Sequence, residues 1–194
     1  MVGSLYDVRN SKLKTLLEEE HAHILYTYEE ESAYLQQVLT YIEEGIACGE
    51  VVLLVENERN YQMILHTLKS RLTNEQMQQL HYVNSIQFYL SSGSYFPPAI
   101  EAHFTKTVQQ YVETKRPFRS WAHVEWSTLN GPTQLIEQFE RIVDEAVHKL
   151  PFSLICAYNS HLIPSELYAM LLQTHPYLLN ASDLCKSEQY SAQF

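Results

Sequence analysis

Apolar runs of strand length alternate with segments of helical periodicity along this chain, and that alternation constrains its fold more than any other feature. Three runs carry the clearest strand signal: HILYTY at 23–28, VVLLVEN at 51–57 and FSLICAYNS at 152–160. The last two runs are almost continuously apolar, which is typical of parallel strands that are covered on both faces. Helical spacing separates the strands, as in Leu35, Val38, Leu39 and Ile42. The pattern predicts an α/β fold of three layers, α/β/α, with a mostly parallel central sheet.

The chain has the length and apolar content of one domain. Its 194 residues are 45% apolar, which is enough for a single core. No linker, low-complexity tract or internal repeat divides it. We expect residues 1–20 to form an N-terminal helical extension, with a helix from about Ser11. Residues 21–185 are predicted to form the single α/β domain, and residues 186–194 a flexible tail.

A later segment predicts an amphipathic helix that opens at NGPTQ, with Gly131 and Pro132 at its start. The apolar side chains at helical spacing predict the buried face of this helix, which we expect to comprise Leu135, Phe139, Ile142 and Ala146.

Charge and cysteine content exclude several functional classes. The formal net charge of −10 argues against direct binding of nucleic acid and against docking on an anionic membrane. Cys48, Cys156 and Cys185 form no CxxC pair and are too sparse for a disulfide framework. No signal peptide and no apolar segment of bilayer-spanning length is present. We therefore expect a cytoplasmic protein.

The stretch TYEEES follows the first predicted strand, at the position where many nucleotide-binding proteins carry a glycine-rich phosphate loop. It has neither the glycines nor the lysine of such a loop, and GxxxxGK[ST] occurs nowhere in the chain. Three successive carboxylates would repel a triphosphate, so ATPase activity is not expected. Glu30 and Glu31 can equally serve only the helix dipole. Tyr28 and Glu29 are candidate ligand contacts.

Polar and aromatic side chains also follow the fourth and fifth predicted strands. Glu125 and Trp126 stand in HVEWST, and Tyr158, Asn159 and His161 stand in AYNSHLIP. Such groups can orient a small ligand in an otherwise apolar pocket. The alternative is structural, since a tryptophan at a strand end also packs against helices and an asparagine also caps turns.

Metal binding and catalysis find little support in the sequence. HAH (His21, His23) and AHVE (His123, Glu125) could supply metal ligands together only if their strands were neighbours. HExxH, paired CxxC and GxSxG motifs are absent. The sequence predicts no catalytic residue, no metal and no cofactor.

Taken together, these segments resemble the MEDS family, the methanogen/methylotroph sensory domain. The resemblance rests on the opening HILYTYEEESAYLQQVLTYIEEGIACGEVVLLVEN, on Trp126, and on the closing ICAYNSHLIPSELYAMLLQTHPYLL. It runs from about His21 to Leu179. Residues 80–118 match only loosely, and Asn159 stands where the family usually has an acid.

The resemblance implies a fold similar to RecA/KaiC-type ATPases with a degenerate nucleotide site. It also implies a sensory role toward small, hydrocarbon-like molecules and a regulatory protein partner, such as a histidine kinase or a transcription regulator. The oligomeric state is left open, and a homo-oligomer is one alternative. The candidate ligand contacts from the strand ends and the resemblance are His23, Tyr26, Tyr28, Glu29, Glu125, Trp126, Tyr158, Asn159 and His161.

Three functional hypotheses follow. The first is a non-enzymatic sensory domain that binds a small apolar ligand and a protein partner, with Tyr28, Trp126 and Tyr158 bordering one pocket. The second is an interaction module without a ligand, whose former nucleotide site is filled by side chains. The third is an enzyme of unrecognised type that uses Glu125, His123 or Tyr158 as acid or base.

Overall fold

A seven-stranded sheet forms the centre of the computed structural model, which describes residues 5–19, 21–126, 133–181 and 183–191. The strands are β1 (His23–Tyr28), β2 (Val51–Glu56), β3 (Leu80–Asn84), β4 (Phe118–His123), β5 (Phe152–Asn159), β6 (Tyr177–Leu179) and β7 (Leu184–Lys186). The helices are α1 (Leu5–Glu19), α2 (Glu31–Ala47), α3 (Glu58–Leu68), α4 (Asn74–Met77), α5 (Ser85–Tyr89), α6 (Pro97–Glu113), α7 (Thr133–Lys149) and α8 (Ser165–Thr174). A 3-10 turn, Ser160–Leu162, follows β5.

The strand order is β3-β2-β4-β5-β1-β6-β7. All neighbouring strands are parallel except the β6–β7 edge pair, which is antiparallel. Every residue of β2 and β4 is buried, as expected for central parallel strands with a helical layer on each face. The structure therefore confirms the predicted α/β class, the three layers and the mostly parallel sheet.

Two apolar clusters cover the two faces of the sheet. Helices α1, α2 and α3 pack on one face, where Tyr34, Tyr41 and Ile64 meet alternate residues of the strands. Helices α5, α6, α7 and α8 pack on the other face, where Phe139 and Leu171 are buried. Within the described residues, no helix combines the length and the apolar character needed to cross a membrane.

The direction of the chain crossovers reverses between β2 and β4. From β2 the chain passes through α3 outward to β3, whereas from β4 it passes through α7 toward β5 on the other side. The two connecting helices consequently lie on opposite faces of the sheet. This arrangement opens a crevice at the carboxyl ends of β2 and β4, which is where ligands bind in open α/β sheets.

The structure corrects two local expectations. Helix α1 begins at Leu5 rather than near Ser11. In α7 the buried face is rotated from the predicted one: Leu135 is 36% exposed, whereas Ile136, Glu140 and Asp144 are buried. Phe139 is buried as predicted, but Leu135 is not, because the prediction assigned only apolar side chains to the interior and this helix buries two carboxylates.

Part of the sequence-based description remains as prediction. The expected helix start at Gly131 and Pro132 lies outside the described residues. The division into extension, domain and tail is also still a prediction. In the described part of the tail, Ser187 Oγ donates a hydrogen bond to the Leu172 carbonyl at 2.5 Å, and the Tyr190 hydroxyl donates one to Asp144 Oδ2 at 2.9 Å.

Candidate functional site

A buried carboxylate, Glu56, stands at the carboxyl end of β2 and is the centre of a polar network. It accepts hydrogen bonds from the Tyr34 hydroxyl, from the Asn57 backbone N–H at 2.8 Å and from Asn60 Nδ2 at 3.3 Å. His123 Nδ1, at the end of β4, lies 2.7 Å from Glu56 Oε1. A buried carboxylate is tolerated only when donors surround it in this way.

His123 links Glu56 to the end of β1. Its Nε2 lies 2.8 Å from the Tyr28 hydroxyl oxygen, and its Nδ1 also lies 3.8 Å from Glu125 Oε1. Burial alone lowers the pKa of His123, but the hydrogen bond and charge of Glu56, reinforced by Glu125, outweigh burial and raise that pKa. Burial, together with the charges of Glu56 and Glu125, raises the pKa of Tyr28. The network therefore favours an imidazolium beside a neutral phenol.

The raised pKa of His123 predicts a pH dependence of stability. The contribution of its imidazolium should be fully present below the ordinary histidine pKa of about 6.5 and lost as pH rises through the raised pKa of the folded state. Urea unfolding of the parent and of His123→Asn between pH 6 and pH 9 measures this contribution. We expect the stability difference between them to shrink as the pH rises. A difference that is constant over this range would show that folding does not raise the pKa of His123.

The crevice between β2 and β4 holds a cavity of about 700 Å³, here called the switch-point cavity. Aromatic and aliphatic side chains form most of its wall: Ile86, Tyr89, Leu90, Tyr95 and Trp126. Its polar end is Glu125, whose two carboxylate oxygens accept hydrogen bonds from Asn57 Nδ2 and Ser85 Oγ, both at 3.0 Å. The cavity combines the size and apolar lining of small-molecule sites with one carboxylate that can fix the orientation of a ligand.

A second cavity, of about 480 Å³, lies at the carboxyl end of β1, where a phosphate loop would stand in a nucleotide-binding relative of this fold. We call it the β1-end cavity. Tyr26, Tyr28 and Glu29 line it together with Glu30. The cavity lies beside two carboxylates, Glu29 and Glu30, and one cation, Arg9, whose Nη1 donates to the Asn180 carbonyl at 2.7 Å.

The remaining predicted contacts lie away from these cavities. His23 and Tyr158 are buried in the interior beside Glu140 of α7. Asn159 Oδ1 accepts a hydrogen bond from the His161 backbone N–H at 3.0 Å, and the His161 side chain is exposed. Asn159 thus caps a turn, which is the structural alternative that the sequence allowed.

The nine predicted residues are therefore divided among several places. Tyr28, Trp126 and Tyr158 do not border one cavity: Tyr28 lines the β1-end cavity, Trp126 lines the switch-point cavity, and Tyr158 is fully buried. Trp126 and Tyr158 are nevertheless neighbours, with ring centroids 6.3 Å apart. The role of each residue in ligand binding remains a prediction.

The HAH and AHVE histidines do not converge, because β5 lies between β1 and β4.

Sequence reasoning missed Glu56 and the part of the cavity wall that comes from α5 and the SSGSYFPP loop. The sequence did contain a signal for Glu56: it is a carboxylate directly after a continuous apolar run, and such a position marks the ligand-binding edge of a parallel sheet. No pattern in the sequence indicated that Tyr89 and Tyr95 line a cavity.

Comparisons with known proteins agree with this architecture. A family model described as "MEDS: MEthanogen/methylotroph, DcmR Sensory domain" matches residues 22–176. A comparison with curated proteins finds no match. One similar solved structure is the uncharacterized protein PH0321 from Pyrococcus horikoshii, in complex with an unknown peptide. It has a TM-score of 0.58 and 12% identity over 86% of this chain and 82% of that chain.

The solved structure of an ATPase domain is also similar, with a TM-score of 0.51 and 11% identity over 82% of this chain and 69% of that chain. At such low identity the likeness shows the fold alone. It confirms the RecA-like architecture that the resemblance implied.

Proposed function

The chain belongs to the MEDS family of sensory domains, and on that basis we propose that it binds a small, mostly apolar ligand in the switch-point cavity and signals through a regulatory protein partner without catalysing a reaction. A histidine kinase or a transcription regulator is the class of partner that the family resemblance implies. The observation that carries the proposal is the cavity itself, with an aromatic wall and a single carboxylate held by Asn57 and Ser85.

The composition of the wall favours a particular ligand chemistry. Tyr89, Tyr95 and Trp126 offer flat apolar surface to a hydrocarbon or aromatic body. Two charged side chains line the cavity, Glu125 and Arg59, and Arg59 Nη2 is paired with Glu31 Oε2 at 3.1 Å. The carboxylate of Glu125 accepts hydrogen bonds, so it favours a hydroxyl or amine donor over an anion. The ligand class is therefore a compact apolar molecule that is neutral or cationic.

The polar network offers a route from the cavity to the rest of the molecule. Asn57 donates to Glu125, and its backbone N–H donates to Glu56. Glu56 in turn contacts His123, which contacts Tyr28 at the β1-end cavity. Asn57 also caps α3, because its side chain accepts from the Asn60 backbone N–H at 2.9 Å. A ligand that hydrogen-bonds to Glu125 competes with Asn57 for this carboxylate. It thereby changes the cap of α3, which Asn57 forms, and the contacts of Glu56 and His123 that lead to the end of β1.

Three benzene derivatives of different charge test the proposal: benzylamine, benzyl alcohol and benzoate. Calorimetric titration of the purified chain should give affinities in the order benzylamine, benzyl alcohol, benzoate, because only the first two can donate to Glu125. Trp126→Ala should weaken benzylamine binding about tenfold or more, which corresponds to about 1.4 kcal/mol. Circular dichroism should show an unchanged fold.

Tyr168→Ala is the matched control, since Tyr168 is a 42% exposed aromatic on α8 that does not line this cavity. Equal affinity of the Trp126→Ala variant and the parent would place the ligand elsewhere. Native mass spectrometry of the gently purified chain supplies an independent readout. A bare protein mass together with no binding of any of the three probes would favour an interaction module without a ligand.

A further inference from the structure

Four side chains with metal-ligating atoms converge in the interior, away from both cavities. They are His23 of β1, Glu140 of α7, Cys156 of β5 and His175, which directly follows α8. Each is at most 1% exposed, and their ligating atoms all lie within 4.8 Å of one another. We propose that this cluster, here called the His–Glu–Cys–His cluster, is a structural site for a divalent cation of the zinc class.

The spacing of the ligating atoms matches a small tetrahedral site. Glu140 Oε2 lies 3.3 Å from His23 Nε2 and 3.4 Å from His175 Nε2. Cys156 Sγ lies 3.5 Å from both His23 Nε2 and Glu140 Oε2. A tetrahedral zinc ion with ordinary bond lengths places two N or O ligands about 3.3–3.4 Å apart, and N or O about 3.6 Å from S. Four of the six distances between ligating atoms therefore match the edges of a coordination tetrahedron, and the other two are at most 4.8 Å.

Neighbouring groups orient each imidazole toward the centre of the cluster. His23 Nδ1 lies 3.2 Å from Asp144 Oδ1, and His175 Nδ1 lies 2.9 Å from the Leu171 carbonyl oxygen. Both acceptors favour a proton on Nδ1 and leave the Nε2 lone pair facing the other ligands. A carboxylate or carbonyl behind each ligating histidine is the arrangement that metal sites use to fix the tautomer.

A neighbouring group also positions Glu140. The Tyr158 hydroxyl donates to Glu140 Oε1, which leaves Oε2 directed at the cluster centre. His175 Nε2 is buried and makes no hydrogen bond within the part of the chain that the structure describes. Its 3.4 Å contact with Glu140 Oε2 is not aligned as a hydrogen bond, and a metal ion at the centre would use its lone pair.

Charge and closure give further support. A divalent cation with a Cys156 thiolate, a Glu140 carboxylate and two neutral imidazoles is electrically neutral, which suits a fully buried position. Binding releases the Cys156 thiol proton to solvent. Four protein ligands complete a tetrahedron and leave no open position, which is the pattern of structural rather than catalytic sites. The ion would join β1, β5, α7 and the end of α8.

The test uses the full chain, unfolded in denaturant with a chelator and refolded with Co²⁺ or Zn²⁺ alone. The double variant Cys48→Ser/Cys185→Ser removes the two exposed thiols and leaves Cys156 as the only cysteine. We expect this variant to bind about one Co²⁺ per chain. Its spectrum should show a thiolate-to-cobalt charge-transfer band and the strong visible bands of tetrahedral Co²⁺, and added Zn²⁺ should abolish both.

The further change Cys156→Ser should remove the charge-transfer band, and His175→Gln should lower the bound metal severalfold. His81→Asn is the matched control, because His81 Nδ1 pairs with the Tyr111 hydroxyl at 2.7 Å, lies outside both groups of potential metal ligands and should leave the metal content unchanged. A refolded double variant with no charge-transfer band and no stoichiometric metal would overturn the proposal, and that result does not depend on any cluster variant folding. An undiminished band after Cys156→Ser would do the same.

Discussion

Replacement of Glu56 by alanine should lower the free energy of unfolding by about 3–5 kcal/mol, the usual cost of removing one partner of a buried charged pair. The Glu56 side chain is completely buried and accepts from Tyr34, Asn57 and Asn60 as well as contacting His123. Its removal leaves these donors without an acceptor in the interior, and it strips the imidazolium of its counter-charge. Chemical unfolding at pH 6, where His123 is charged, measures the full loss.

Two further variants separate charge from hydrogen bonding. Glu56→Gln retains one acceptor oxygen but no charge, so it should be intermediate and should also flatten the pH dependence attributed to His123. Glu125→Gln compares a partly exposed carboxylate beside the same histidine: the Glu125 side chain is 38% exposed, so its replacement should cost less than about 1 kcal/mol. If Glu56→Ala were no less stable than Glu125→Gln, the network would not contribute to the stability of the fold.

Trp121→Ala should cost a similar amount, about 3–5 kcal/mol, because it opens a large cavity in the core. Trp121 is fully buried on β4, and its ring centroid lies 5.3–5.9 Å from those of Tyr26, Tyr34 and Tyr41. Its Nε1 also donates to the Tyr34 hydroxyl at 3.1 Å, so the truncation reaches the Glu56 network. Denaturant unfolding monitored by far-ultraviolet circular dichroism measures the loss.

Trp126→Ala removes the same side chain from a partly buried position at the cavity wall. It should cost at most about half as much stability, because less apolar surface returns to water. The two tryptophans therefore predict opposite phenotypes: Trp121→Ala weakens the fold, and Trp126→Ala weakens the binding of benzylamine. Equal losses of stability would show that Trp126 belongs to the core and not to a ligand site.

Local patterns in the sequence were sufficient for the scaffold. HILYTY begins and ends at the same residues as β1, and VVLLVEN and FSLICAYNS each extend one residue beyond β2 and β5. These strands are buried on both faces, so nearly all of their consecutive residues are apolar. This local pattern identifies a strand without knowledge of the strands beside it in the sheet. The position of Tyr28, Glu125 and Trp126 at the carboxyl edge follows from the same pattern. The absence of a phosphate loop after β1 is also evident from the sequence alone.

The sites depend on proximity between distant segments, which periodicity does not encode. Strand order places β4 beside β2, so His123 meets Glu56, and it places β5 between β1 and β4, so His23 does not meet His123. The buried carboxylates of α7 were unpredictable for the same reason. Glu140 resembles any surface acid of an amphipathic helix until the tertiary structure brings His23 and His175 against it. Consecutive residues thus specify which helices and strands form, whereas the packing of those elements specifies which polar groups share an interior.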